Sequence, residues 1–216
     1  ETNEEGSIDY IYGLNELEDI GPDSEVIFCA RFKNFCRSYA YFLKDKGLIF
    51  LEKSQNIDER GKFTSSFPDR CKEIIENWNT LQEGGSIKGI DYIKMVKEIK
   101  KEFISDSKKT AITTRDTAPQ ELYTDELFSY EELKKRFYLN CPKEKVWHEI
   151  FWFDTTRVVS PKKPKALFED RADFNDYLKR CWEKNPTLET KIIVSTIHGV
   201  KGMEADKVVM SVEWGY

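Results

Sequence analysis

No apolar run in the 216 residues approaches the roughly 20 that a membrane-crossing helix needs, and no signal-peptide hydrophobic stretch opens the chain. A helical membrane span is therefore not expected. Histidine is scarce, with two in the chain, and the five cysteines (Cys29, Cys36, Cys71, Cys141, Cys181) form no C-x-x-C pair. This argues against a structural zinc site and for reduced thiols in a cytoplasmic compartment rather than a disulfide framework. Trp147-His148-Glu149 has no second histidine at the helical spacing of a zinc protease, so no metal ligand is assigned. The chain also has no Gly-x-x-x-x-Gly-Lys-[Ser/Thr] phosphate loop and no Asp-Glu pair ending a buried strand. A self-contained ATPase of that class is excluded. Internal repeats and low-complexity tracts are absent too.

At 34% charged and 39% hydrophobic the composition is that of a soluble globular chain, long enough for one or two domains with a real core. The net charge of −5 seems at first to disfavour nucleic acid, yet it is unevenly spread. Residues 1–25 hold nine acids and no Lys or Arg, which leaves +4 over residues 26–216. From Gly84 to Arg115 there are eight basic and four acidic residues; from Lys134 to Lys165 there are nine and three. The second stretch is interleaved with Phe137, Tyr138, Trp147, Phe151, Trp152 and Phe153. Rings among cations suit a single-stranded nucleic-acid groove, where rings stack on bases and cations hold phosphates. The same pattern fits rings that fill a core beneath a lysine-rich surface. The acidic lead-in reads as a solvated linker.

Residues 25–30 form a short, nearly continuous apolar run after Gly21-Pro22-Asp23, as in a strand buried on both faces. Phe32, Phe35, Cys36, Tyr39, Phe42 and Leu43 then follow helical spacing, with Gly47 where a C-terminal cap belongs. Leu48–Leu51 reads as a second strand. From about Glu52 to Thr190 the pattern is mainly helical. Helices are expected from Pro68-Asp69 to Gly84-Gly85, over about 90–103, from the capping box Ser129-x-x-Glu132 to Asn140-Cys141-Pro142, and over about 171–184. Residues 106–120 are polar without a period and read as a loop. Strand patterns return at Lys191–Ile197 and Lys207–Val212. The simplest plan is an α/β domain, 1–51 with 191–216, carrying a helical domain inserted at 52–190.

The strongest local signal is Val194-Ser-Thr-Ile-His-Gly-Val-Lys-Gly-Met-Glu204, followed by Ala205-Asp206 and a strand. A buried strand here runs into a turn with two glycines, a lysine, a histidine and a glutamate. Glycines let backbone N–H groups approach a phosphate, Lys201 supplies a compact charge, and His198 can donate at a strand's C-terminal edge. Glu204 can accept from both hydroxyls of a ribose. Spacing alone leaves open whether this is a nucleotide-site loop or a capped turn.

The run Ser195–Asp206 with its following Val-Val closely resembles motif V of the UvrD/Rep-type superfamily 1 DNA helicases, and its Glu-Ala-Asp ending looks most like the phage-like branch. Val26-Ile-Phe-Cys-Ala-Arg31, with the next helix and Lys46-Gly-Leu-Ile-Phe50, is similar to that family's motif IV region. The resemblance covers about 60 residues as sequence and the whole chain as a plan. It implies a partial RecA-like (P-loop NTPase-type) parallel sheet domain, 2A, interrupted by the mostly helical domain 2B. It also implies an excised C-terminal portion of an ATP-dependent DNA helicase, with 2A incomplete and the isolated chain inactive. ATP and Mg would be held mainly by a missing first RecA-like domain. The family pattern places Glu204 on the ATP ribose, with Gly202 and Lys201 in the linking turn. It places Thr196 and His198 on the single-stranded DNA track and gives Arg31 a DNA-facing or domain-interface role. The family often has a Thr-Asn pair where Phe32-Lys33 stands, so Lys33 is expected to hold a phosphate instead. Single-stranded and duplex DNA are the implied partners. The alternative is a non-catalytic DNA-binding or partner-binding module derived from such an enzyme.

Overall fold

The computed structural model describes residues 13–17, 19–53, 62–154 and 167–211. In chain order these form β1 (Val26–Ala30), α1 (Lys33–Asp45), β2 (Leu51–Lys53), β3 (Phe63–Ser65), α2 (Asp69–Gln82) and β4 (Ser86–Lys88). Next come α3 (Gly89–Glu98), α4 (Asp106–Thr113), β5 (Leu127–Ser129), α5 (Tyr130–Phe137) and the single-turn α6 (Trp147–Ile150). α7 (Arg171–Lys184), β6 (Ile193–Thr196) and β7 (Lys207–Met210) complete the series. The class is α/β, and the chain divides into two units, 1–66 with 184–216 and 67–183.

The first unit holds a mixed, mostly parallel sheet in the order β3-β2-β6-β1-β7. β1 pairs in parallel with β6 and β7, β2 pairs in parallel with β6, and β3 runs antiparallel to β2. With neighbours on both edges and all five residues buried, β1 can be apolar throughout instead of alternating. Phe28 lies against Tyr39 and Phe42 of α1, with ring centroids 5.2 and 6.2 Å apart. Ile27 and Cys29 pack instead with Val200, Ile193 and Ala205. α1 closes as the sequence suggests: Gly47 N donates to Lys44 O and Leu48 N to Leu43 O, both at 2.9 Å.

Three expectations change in this unit. The lead-in is no free linker over its described part, because Leu17 and Ile20 are buried and Lys46 Nζ donates to Leu17 O at 3.1 Å. Glu25 pairs with Lys191 at 2.8 Å; residues 1–12 lie outside the described residues. The second strand is Leu51–Lys53 rather than Leu48–Leu51. Leu48, Ile49 and Phe50 are buried, but the parallel pairing begins where Leu51 N donates to Ile192 O at 2.8 Å. β3 then extends this unit to Ser66, beyond the 51 suggested by the apolar pattern.

The second unit is mostly helical, with β4 and β5 as an antiparallel pair. α2, α5 and α7 form over the expected stretches, and the Ser129–Glu132 capping box is present. α3 stops at Glu98 rather than near 103, because Ile99 turns extended and bridges to Phe151. Residues 106–113 are helix α4 rather than loop; Ile112 is its one buried residue, so no apolar period marks it. Phe137, Trp147, Phe151 and Phe153 are all at most 2% exposed, so these rings fill the core instead of lining a groove. Trp78 makes edge contacts with Tyr130 and Phe151 there, and its Nε1 donates to Lys145 O at 2.9 Å. The Glu98 carboxylate is fully buried, accepting from Arg70 Nη2 at 2.9 Å and from Asp154 N at 3.2 Å. Arg157, Lys162, Lys163 and Lys165 of the basic stretch lie outside the described residues.

Among the described residues two non-glycines have positive φ, Tyr138 at 64° and Leu188 at 56°. The left-handed region costs an L-residue about 1–2 kcal/mol. Leu188 is 7% exposed, and burying such a side chain returns about 2 kcal/mol. Tyr138 is 48% exposed, and Lys108 over its ring contributes about 0.5–1 kcal/mol at such a site. The five cysteines are free and buried, and among the described residues no helix is long and apolar enough to cross a membrane.

Candidate functional site

β1 and β6 are neighbours, yet their onward connections leave in opposite directions across the sheet. β1 leads through α1 to β2 on the far side of β6, while β6 leads through residues 197–206 to β7 on the far side of β1. The contacts of Phe28 with α1, and of Ile27 and Cys29 with Val200 and Ala205, put these connections on opposite faces. Such a reversal opens a crevice beyond the carboxyl ends of two adjacent parallel strands, where open α/β sheets bind ligands.

The residues singled out from the sequence fall at or near this crevice. Ala30 pairs with Thr196, so Arg31 and Ile197 emerge side by side from the two strand ends. Lys33 is the first residue of α1, whose first turn carries no acid and whose N-cap, Phe32, offers no side-chain acceptor. The helix dipole therefore presents a positive end next to Arg31 and Lys33. Thr196 is half-buried, while His198, in the short 3-10 turn Ile197–Gly199, is exposed. Lys201, Gly202 and Glu204 follow on the connection to β7 and are all exposed. Among the described residues the side chains of His198, Lys201 and Glu204 have no hydrogen-bond or ion-pair partner, so they remain open to a ligand. Lys201 and Glu204 lie past the strand ends, in and after the turn.

The two glycines of this segment have different tasks. A Cβ on Gly199 would fall 2.1 Å from Ser195 Oγ, so the turn can follow β6 this closely only without a side chain. Gly202 has open space around it but a φ of 81°, in a turn closed by Met203 N donating to Val200 O at 3.0 Å. That is the third position of a type II turn, where glycine is favoured. Two further contacts fix the approach. Lys53 Nζ, at the end of β2, donates to Gly199 O at 3.0 Å, and Cys36 Sγ of α1 donates to Ser195 O at 3.1 Å. Burial pushes the Cys36 thiol up, so it stays a neutral donor.

Sequence reasoning did not pick out Lys53 or Phe32. Phe32 is 44% exposed, with the Arg31 guanidinium 5.3 Å from its ring centroid and the Phe35 ring 6.4 Å away. An exposed ring on an apolar-rich helix reads as one more core position. Its place at a strand end is the only clue, and that needs the strand order. An aromatic face, two cations and a helix N-terminus stand at the strand ends, and an exposed glutamate follows on the connection to β7. Chemically this set suits a ligand with phosphates and with bases or ribose hydroxyls. No protein-family model, curated protein or solved structure matches the chain.

Proposed function

We propose that this chain is the second RecA-like domain, with its inserted helical domain, of an ATP-dependent DNA helicase or translocase of the UvrD/Rep type. The observation that carries the reading is the Ser195–Asp206 run, which resembles motif V and leaves β6 at the switch point of the sheet. Thr196, His198, Arg31 and Lys33 form part of the single-stranded DNA track. Arg31 and Lys33 hold phosphates and Phe32 offers a stacking face. Glu204 accepts from ribose hydroxyls, and Lys201 with the Gly202 turn faces the phosphates. His198, Lys201 and Glu204 fit a nucleotide because they are exposed and of the needed charge or hydrogen-bonding type.

ATP, when bound, supplies the free energy of phosphoanhydride hydrolysis. The 216 residues contain no phosphate loop, so the hydrolytic groups belong to a partner RecA-like domain in the cytoplasm. The magnesium that accompanies ATP is, on this reading, held mainly by that partner, which carries the phosphate loop. The segment from Thr196 to Glu204 is then the covalent link between track and nucleotide. Lys53 and Cys36 hold its backbone in place from β2 and α1.

The test is Glu204→Ala in this chain joined to its ATP-binding partner domain. The Michaelis constant for ATP should rise about tenfold, the scale of a lost hydrogen bond to a charged group. An unchanged constant removes the ribose assignment. DNA-stimulated ATP hydrolysis by the 216-residue chain alone would contradict the division of labour. The absence of a phosphate loop also favours a second reading, a DNA-binding module that works without a motor. In that case no partner domain restores hydrolysis.

A further inference from the structure

β2 lies outside both runs that resemble the helicase motifs, yet its last residue reaches the turn that leaves β6. The register shows which way that residue points. Leu51 pairs with Ile193 and Glu52 with Val194, which brings Lys53 level with Ser195. Successive side chains of a strand alternate between its faces. Glu52 stands on the face of α1, where its charge acts on the Cys36 thiol, and Lys53 stands on the face of residues 197–206. There Lys53 Nζ donates to Gly199 O at 3.0 Å, and a Cβ added to Gly199 would lie 3.3 Å from Lys53 Cδ. The same added Cβ would lie 2.1 Å from Ser195 Oγ. Gly199 is thus enclosed between β6 and a side chain of β2. His198 precedes it, Lys201 follows two residues later, and both are exposed. The peptide unit from Gly199 to Val200 is planar, so its carbonyl cannot swing without breaking a charge-assisted hydrogen bond. Ordering a lysine stem costs rotamer entropy on the scale of what one such bond returns. What the contact supplies is therefore placement of the turn more than net stability.

We propose that Lys53 is a positioning residue of this site. Through Gly199 O it sets where His198 and Lys201 stand, and thereby the affinity for the ligand, without touching the ligand itself. That the ligand is single-stranded DNA rests on the function proposed above; the placement of the turn does not.

The experiment compares the full 216-residue chain with its Lys53→Met and Lys53→Arg variants. Methionine keeps most of the stem and removes the donor, whereas arginine keeps a charged donor. The two histidines lie in different units, and His148→Gln assigns their ring resonances in a proton–carbon spectrum. Lys53→Met should shift or broaden the His198 resonance and leave that of His148 in place, and Lys53→Arg should restore the parent signal. Binding of a fluorescent oligothymidylate of about 15 nucleotides should weaken about tenfold in Lys53→Met, the scale of a lost charged hydrogen bond, and recover in Lys53→Arg. The slope of log affinity against log salt should match the parent in both, because no phosphate contact is lost. An unmoved His198 resonance or an unchanged affinity in Lys53→Met overturns the proposal, and so does a Lys53→Arg chain that behaves like Lys53→Met. Movement of both histidines also overturns it, by making the contact a general support of the fold. A slope flattened by about 0.7 does the same, by making Lys53 a phosphate ligand. A parent chain that binds no DNA removes the track, and the histidine resonances then decide the positioning role by themselves.

Discussion

Gly199 and Gly202 show how two identical letters in one motif answer to different physics. At Gly199 the constraint is space, with Ser195 Oγ 2.1 Å from any added Cβ; at Gly202 it is a backbone φ of 81°. Gly199→Ala should lower stability by about 1–3 kcal/mol, since the buried Ser195 and the Lys53 contact must shift to admit a methyl group. Gly202→Ala should cost about 1 kcal/mol through backbone strain alone. Denaturant unfolding of the two variants checks this order, and a Gly199→Ala chain as stable as its parent would refute the close approach. The sequence shows two glycines at the right spacing but not which is steric and which conformational. That distinction depends on how near β6 the turn folds back. The exposed ring of Phe32 was equally illegible, because nothing in a residue's identity marks it as sitting at a strand end.

Among the elements, α6 carries a pH response. Burial lowers the pKa of His148, Lys179 pushes it further the same way, and Glu149 and Glu183 oppose the shift. A histidine whose folded pKa is depressed favours the unfolded chain once protons are available. Its stabilising share is present above the unfolded value of about 6.5 and is lost as pH falls through that value toward the lower folded one. The parent chain should lose Tm between about pH 7.5 and 5.5, and His148→Gln should lose less over the same interval. Parallel Tm profiles for the two chains would show that His148 titrates alike in both states. Elements with strong patterns were readable: β1 from an apolar run buried on both faces, α1 and α2 from helical spacing closed by glycine caps, α7 ending before Asn185-Pro186. Those without such patterns were not. α4 buries one residue, β3 has three residues with Thr64 exposed, and α3 ends in a bridge to a segment some fifty positions away.

For the whole molecule, the α/β unit interrupted by a helical block was legible because the strand patterns stop and resume. The strand order was not, since β6 enters between β1 and β2 after the whole second unit has intervened. That non-local insertion creates the switch point, and with it the crevice on which the functional reading rests. The net charge of −5 likewise misleads at this scale, because the residues at the crevice include Arg31, Lys33 and a helix N-terminus with no acid in its first turn. The most direct measurement is the affinity of the 216-residue chain for single-stranded DNA at about 50 and 200 mM salt, with and without Arg31 and Lys33. Binding should weaken as salt rises, and Arg31→Ala/Lys33→Ala should flatten the log–log slope by about 1.4, for two lost phosphate contacts. No binding at low salt, or a double variant with the same affinity and slope as its parent, would contradict a nucleic-acid track at this sheet edge.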